Sequence, residues 1–173
     1  GPKGIGALYI RQGTRVVPLL HGGAQERRMR ASTENVPGII AFGEAARLAE
    51  AQLEDHVERL TKLRDKLKDG LMQIPDSFFN GHPTKRHPGN VNICFKYIEG
   101  ESMLLLLDAI GVCASSGSAC TSGSLDPSHV LMGIGLPHEI AHGSLRLTLG
   151  DFTVEEDVDY VIKHLPGIIE RLR

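Results

Sequence analysis

The sequence predicts an α/β or α+β layout, on three observations. Short apolar runs alternate with helical stretches along most of the chain. Residues 37–74 keep one apolar helical face for many turns. Ser144 to Leu149 reads Ser-Leu-Arg-Leu-Thr-Leu, the period-two pattern of a strand with one buried face. No internal repeat is visible.

In order, residues 5–10 (Ile-Gly-Ala-Leu-Tyr-Ile) read as a buried strand. Val16 to Leu20 is a second short apolar run, leading into Gly22-Gly23 and a polar loop through Asn35. Pro37-Gly38 opens the long helix. Leu53, Val57, Leu60, Leu67, Leu71 and Ile74 form its apolar stripe, and Asp55 with Arg59 and Glu58 with Lys62 are acid-before-base pairs one turn apart. The same spacing suits a coiled-coil hairpin, against which Arg64 stands by breaking the stripe. Pro75 ends the helix, and residues 80–89 carry loop chemistry. Val91 to Phe95 reads as a strand, Glu101 to Ile110 as a leucine-rich helix, and Gly111-Val112-Cys113 as a short strand. Residues 114–126 form a loop. Pro127 is placed as the first residue of a further helix capped by Asp126. After the strand at 144–149, Thr153 caps a last helix with Glu156 completing a capping box, and that helix runs toward Pro166 and the end. Composition shifts near residues 36 and 75 place a domain connection along the long helix.

Composition excludes some classes of function. The 173 residues are 41% hydrophobic and 23% charged, as in a globular protein. A formal net charge of −2 gives no general attraction to nucleic acid or an anionic membrane, so neither is expected as a partner. No apolar run approaches a bilayer span, and Gly1-Pro2-Lys3-Gly4 lacks a signal-peptide layout. The odd count of three cysteines shows no paired framework and points to a reducing compartment, the cytoplasm.

Chemistry concentrates in residues 114–127, Ala-Ser-Ser-Gly-Ser-Ala-Cys-Thr-Ser-Gly-Ser-Leu-Asp-Pro. Cys120 sits among small hydroxylated residues between Gly117 and Gly123, a setting that suits a nucleophile able to reach a substrate and present its cargo elsewhere. An incidental cysteine in a surface loop fits the same composition. Cys94 and Cys113, each in an apolar strand, read as core residues. The six residues between Cys113 and Cys120 are not zinc-finger spacing. His138 and His142 are one helical turn apart, but Pro137 and Gly143 flank them and speak against a metal-binding face. Arg146 points away from the leucines of its strand, as a solvated residue or as a fork for a carboxylate.

The stretch Ser115 to Leu125, Ser-Ser-Gly-Ser-Ala-Cys-Thr-Ser-Gly-Ser-Leu, resembles the active-site loop of cysteine desulfurases of the NifS/IscS type, in the class V aminotransferase family. Three further segments match in the same order. Gly1 to Tyr9 resembles the strand after the cofactor lysine. His21-Gly22-Gly23, Gln25-Glu26-Arg27, Arg30, Thr33 and Asn35 resemble the segment that crosses the dimer interface. His142 to Arg146 resembles the strand bearing the substrate-carboxylate arginine.

The resemblance implies the C-terminal part of a fold-type I pyridoxal-phosphate enzyme: residues 1–36 as the tail of the large domain, 37–74 as the connecting helix and 75–173 as the small α/β domain. It implies a homodimer that takes sulfur from L-cysteine as a persulfide on Cys120, with Arg146 on the substrate carboxylate and Thr33 on the cofactor phosphate of the neighbouring subunit. Sulfur would pass to an iron–sulfur scaffold protein or a tRNA-thiolation partner, with Cys120 as a transient iron–sulfur ligand. The family's Schiff-base lysine precedes the Gly-Pro-Lys-Gly stretch, and Lys3 does not replace it. The chain alone is therefore expected to be inactive. Arg30-Ala31-Ser32-Thr33 departs from the family pattern by a serine in place of glycine, so a positive φ there would require a different local backbone. A selenocysteine lyase on the same scaffold, and a non-catalytic fragment or interaction module, are the alternative readings.

Overall fold

The structure, a computed structural model, describes residues 1–116 and 127–173. They divide into two compact units, Gly1–Glu54 and Asp55–Arg173.

The first unit is mostly irregular up to the start of α1 (Val36–Leu71), with one short 3-10 turn at Glu26–Arg28. The strand expected at residues 5–10 is not formed, and Leu8 and Tyr9 are 77% and 87% exposed. A strand needs a neighbour to take its N–H and C=O groups, and this unit offers none. The run at Val16 to Leu20 is likewise exposed and irregular. Helix α1 starts one residue before the Pro37-Gly38 pair, and the Asn35 Oδ1 accepts the Gly38 N–H at 3.2 Å, an N-cap that satisfies one of the helix's unpaired donors.

The second unit packs its three longer helices on one face of a three-stranded antiparallel sheet, in the order β1 (Ser77–Phe79), β2 (Asn90–Phe95), β3 (Ser144–Thr148). Register pairs Phe79 with Ile93 and Val91 with Leu147. Val91, Ile93, Phe95, Leu145 and Leu147 thereby share the core face. Leu60, Leu67 and Leu71 of α1, Met103 and Leu107 of α2 (Gly100–Asp108), and Val158, Leu165 and Ile169 of α5 (Glu155–Leu172) close over it. Two short helices, α3 (His129–Gly133) and α4 (His138–His142), supply Leu131 and Ala141, which cover Cys94 on the opposite face. Among the described residues no helix is long and apolar enough to cross a membrane.

Several local expectations change on folding. Leu53 and Val57 are exposed, whereas Arg64, expected to break the apolar stripe, is 4% exposed. Its aliphatic stem packs inside while Nε and Nη2 donate to the Asp65 carboxylate at 3.0 and 2.9 Å. Arg59 pairs with the β3–α5 turn rather than with Asp55, donating to the carbonyls of Thr153, Gly150 and Asp151. The Glu58–Lys62 pair forms as expected. The segment Gly111 to Cys113 is no strand. Gly111 has φ +79°, its N–H bonds the Asp108 carbonyl, and the Val112 N–H bonds the Leu107 carbonyl. These residues close the C-terminus of α2 as a Schellman motif, and the first bridge to the sheet comes at Ser115.

Asp126 lies outside the described residues. Pro127 precedes its helix rather than opening it, and Ser128 occupies the N-cap of α3. Helix α5 starts at Glu155, so its reciprocal bond comes from Asp157, whose Oδ2 accepts the Val154 N–H at 3.0 Å, and not from Glu156. Thr153 instead accepts the Gly150 N–H through Oγ1. Both changes follow from helices that begin one or two residues later than the sequence signals suggest.

Gly143 links α4 to β3 and faces the end of β2. A Cβ on it would lie 2.0 Å from the Phe95 carbonyl oxygen, and its own carbonyl accepts the Phe95 N–H at 2.9 Å. Gly167, inside α5, has open space around it. Gly143→Ala should therefore destabilise by about 3 kcal/mol or more through backbone displacement. Gly167→Ala should stabilise by about 1 kcal/mol through helix propensity. Denaturant unfolding of the two variants reads both signs, and a stable Gly143→Ala would refute the close approach.

Candidate active site

The face of the sheet opposite the core is set by the same alternation. On β2 it carries Asn90, Asn92 and Cys94, and on β3 it carries Ser144, Arg146 and Thr148. The end toward Cys94 is covered by α3 and α4. The middle is polar and half-buried.

Arg146 occupies that middle. Its backbone N–H donates to the Ser115 carbonyl at 2.7 Å, and the Ser115 N–H returns a bond to the Arg146 carbonyl at 3.2 Å. This bridge holds the segment leading to the Ser-Gly-Ser-Ala-Cys stretch against the edge of β3. Gly100, at the start of α2, lets the same segment approach closely: a Cβ there would lie 2.7 Å from the Ser116 Cβ and 3.2 Å from the Ser144 carbonyl. Among the described residues the Arg146 guanidinium has no hydrogen-bond or ion-pair partner. A half-buried, unpaired guanidinium is a ready fork for a carboxylate.

Cys120, the candidate nucleophile, lies outside the described residues, as do the rest of residues 117–126. The other two cysteines differ from each other, although both read as core. Cys94 is fully buried, and its Sγ accepts a hydrogen bond from the Asn80 Nδ2 at 3.1 Å. Burial pushes its thiol pKa up, an effect that the Asn80 bond only partly offsets. Cys113 is exposed, because the turn after α2 carries it out to solvent.

Thr33 lies in the first unit. It is exposed, and its hydroxyl has no partner among the described residues. Beside it, Ser32 has φ +96°, and its N–H donates to the Gln25 Oε1 at 3.2 Å. Serine thus adopts the positive φ itself, and the backbone does not relax away from it. The His138 and His142 rings stand edge to face with centroids 4.5 Å apart. No group of three or more potential metal ligands occurs among the described residues.

Two residues that sequence reading passed over join the site: Asn80, 6% exposed, and Asn92, whose Oδ1 accepts from the Asn80 Nδ2 at 2.6 Å. The only signal for Asn92 was asparagine at alternate positions of an apolar strand, which has no meaning until the pairing partner is known, and Asn80 read as the first residue of a loop.

Two outcomes follow. Ser32→Gly should stabilise the complete protein by about 0.5–1 kcal/mol, relief of left-handed strain less the added chain entropy, and an equal or lower melting free energy would contradict the strained backbone. In a Cys120→Ser background, native alkylation followed by mass spectrometry should modify Cys113 first and Cys94 only on unfolding, since burial both hides the Cys94 sulfur and disfavours its thiolate.

Comparison with known proteins places these residues in a family. The family model described as Aminotransferase class-V matches residues 1–161. "Cysteine desulfurase IscS" of Methanosarcina thermophila is 60% identical over 173 residues, covering 100% of this chain and 43% of that protein. "Cysteine desulfurase IscS 1" of Archaeoglobus fulgidus is 54% identical, covering 100% of this chain and 45% of that protein. A solved structure titled "NIFS-LIKE PROTEIN" matches with a TM-score of 0.81 at 34% identity, over 95% of this chain and 42% of that one. The chain thus spans less than half the length of these relatives, and with residues 1–161 under the family model it belongs to the class-V aminotransferases.

Proposed function

We propose that this chain is the C-terminal part of a cysteine desulfurase, in which Cys120 takes sulfur from L-cysteine. The observation that carries this reading is the pairing of Arg146 with Ser115. It sets an unpaired carboxylate fork beside the root of the segment that leads to Cys120. Cys120 is five positions after Ser115 in the sequence, a tether of at most about 18 Å. The names of the relatives supply the substrate.

In the net reaction, L-cysteine and the Cys120 thiol give L-alanine and a Cys120 persulfide. Arg146 grips the substrate carboxylate with two parallel hydrogen bonds and so fixes its approach. Cys120, a soft and polarisable nucleophile, accepts the sulfur.

Pyridoxal phosphate is the cofactor this family reading requires. Among the residues present, Thr33 fits one phosphate contact through its free, exposed hydroxyl. The covalent imine is not assigned to a lysine of this chain: the resemblance puts the imine lysine before the Gly1-Pro2-Lys3-Gly4 stretch and gives Lys3 no such role. The imine lysine is expected from the part of the relatives that this chain does not span. When bound, the cofactor supplies the electron sink for cleavage of the substrate C–S bond.

The proposal extends to a cytoplasmic homodimer in which Thr33 serves the partner's cofactor. The exposed Leu8, Tyr9, Val17 and Leu19 favour a covering polypeptide. The persulfide would then pass to an iron–sulfur scaffold protein or a tRNA-thiolation partner, with Cys120 as a transient iron–sulfur ligand.

The test uses the complete enzyme. Cys120→Ser should abolish persulfide formation while leaving the cofactor bound and the protein yellow, because serine cannot hold sulfane sulfur. Mass spectrometry after one turnover with L-cysteine locates the persulfide. Persulfide on the exposed Cys113, or normal turnover in Cys120→Ser, would assign the sulfur to another residue.

A further inference from the structure

Register places four residues in a row across the polar face: Asn80, Asn92, Arg146 and Ser115. The backbone groups in this row decide how close the middle pair comes. The Asn92 carbonyl accepts the Asn80 N–H at 2.9 Å and so points toward β1. Both backbone groups of Arg146 point the other way, to Ser115. Asn92 and Arg146 are therefore a non-hydrogen-bonded antiparallel pair, the closer of the two kinds, with Cα atoms about 4.5 Å apart.

The side chains follow from this. The Asn92 Oδ1 is held toward β1 by the Asn80 Nδ2 at 2.6 Å. With Oδ1 engaged there, the Nδ2 donor is left for a partner elsewhere on the polar face, and the residue across the ladder is Arg146. Asn80 is buried and also donates to the Cys94 Sγ, so it fixes this orientation from beneath the surface. Neither the Asn92 Nδ2 nor the Arg146 guanidinium has an acceptor among the described residues. Two neighbouring donors cannot satisfy each other, so the pair calls for an anion with several lone pairs. An ionised carboxylate has about four acceptor sites, two for the arginine fork and a third for an amide N–H.

We propose that Asn92 is a second substrate-carboxylate residue, donating through Nδ2 to the carboxylate that Arg146 grips. This rests on the reading of Arg146 given above. Asn92 would select substrates bearing a carboxylate and would fix the rotation of that group, which a fork alone leaves free to rock about the arginine axis.

The test separates this role from a structural one. Asn92→Asp keeps an acceptor for the Asn80 Nδ2 but replaces the donor with a negative charge. Asn92→Ala removes both. The measurement is the dissociation constant of L-alanine, the product that carries the same carboxylate, together with KM for L-cysteine, in the complete holoenzyme. Thermal unfolding confirms that each variant is folded, and Asn92→Ser provides a further small polar replacement. Asn92→Ala should weaken L-alanine about tenfold to a hundredfold, the loss of a hydrogen bond to a charged group. Asn92→Asp should be weaker still, because the new carboxylate repels the ligand and occupies Arg146. If Asn92→Asp binds L-alanine as the parent enzyme does, or if it rescues the loss seen in Asn92→Ala, the residue only braces β1 and the proposal is overturned. It is equally overturned if no Asn92 variant alters binding. Arg146→Ala serves as the control. Unchanged L-alanine binding in that variant removes the underlying carboxylate site, whereas a loss there with none at Asn92 removes the Asn92 role alone.

Discussion

Antiparallel pairing of β2 with β3 sets which side chains meet core and which meet the site, and the rest of the second unit is arranged around it. With Ile93 opposite Leu145 and Asn92 opposite Arg146, every leucine of β3 enters the core and the arginine leaves it. A slip of one residue would reverse the faces and drive a guanidinium into a hydrocarbon core without a partner, a cost of several kcal/mol. The close approach of Gly143 to Phe95 pins the start of this pairing, since no side chain fits between them. Register is thus enforced from both directions, by burial on one side and by contact at the end.

Charged residues hold the helical layer to this sheet, and they do so unequally. Arg59 gathers three carbonyls of the turn after β3, and Lys66 joins Glu155 and Asp159 of α5. Exposed ion pairs of the second kind contribute little each, about 0–1 kcal/mol. The Arg59 contacts differ, because they satisfy carbonyl groups at a turn that has few partners of its own. The turn follows the strand that carries Arg146, so this clasp also steadies the site. Arg86 acts similarly on the loop between β1 and β2. It lies 4.1 Å over the Phe79 ring and donates to the Asn80 carbonyl and the Asn90 Oδ1, tying the two ends of that loop together.

The first unit shows the opposite condition. Its apolar runs have the composition of strands, yet they stand exposed, and only Ala31 is buried there. Hydrophobic sequence alone does not make a strand, because the backbone groups of an extended segment must be taken by a neighbour. The chain spans less than half of its relatives' length, and within this unit no strand forms to take those backbone groups. Ser32 fits the same picture: its positive φ is kept although serine disfavours it, with the Gln25 side chain bonded to its N–H.

The sequence by itself determined the elements whose signals are local. The long helix opened at Pro37-Gly38, the strands at 91–95 and 144–149, the helix near 101–110 and the outward direction of Arg146 all follow from periodicity and alternation within a single segment. The cysteine-bearing stretch and its family likeness were also legible, since they are strings of residues. Tertiary structure decided what depends on partners. It buried Arg64 and exposed Leu53, put Cys113 in solvent and Cys94 in the core, and moved the starts of α3 and α5. It alone placed Asn92 across the ladder from Arg146, with Asn80 bonded to Asn92 on the other side. Asn80 and Arg146 are far apart in the chain, and an asparagine in a strand acquires a function only from the residue across the ladder, which register sets and sequence spacing does not.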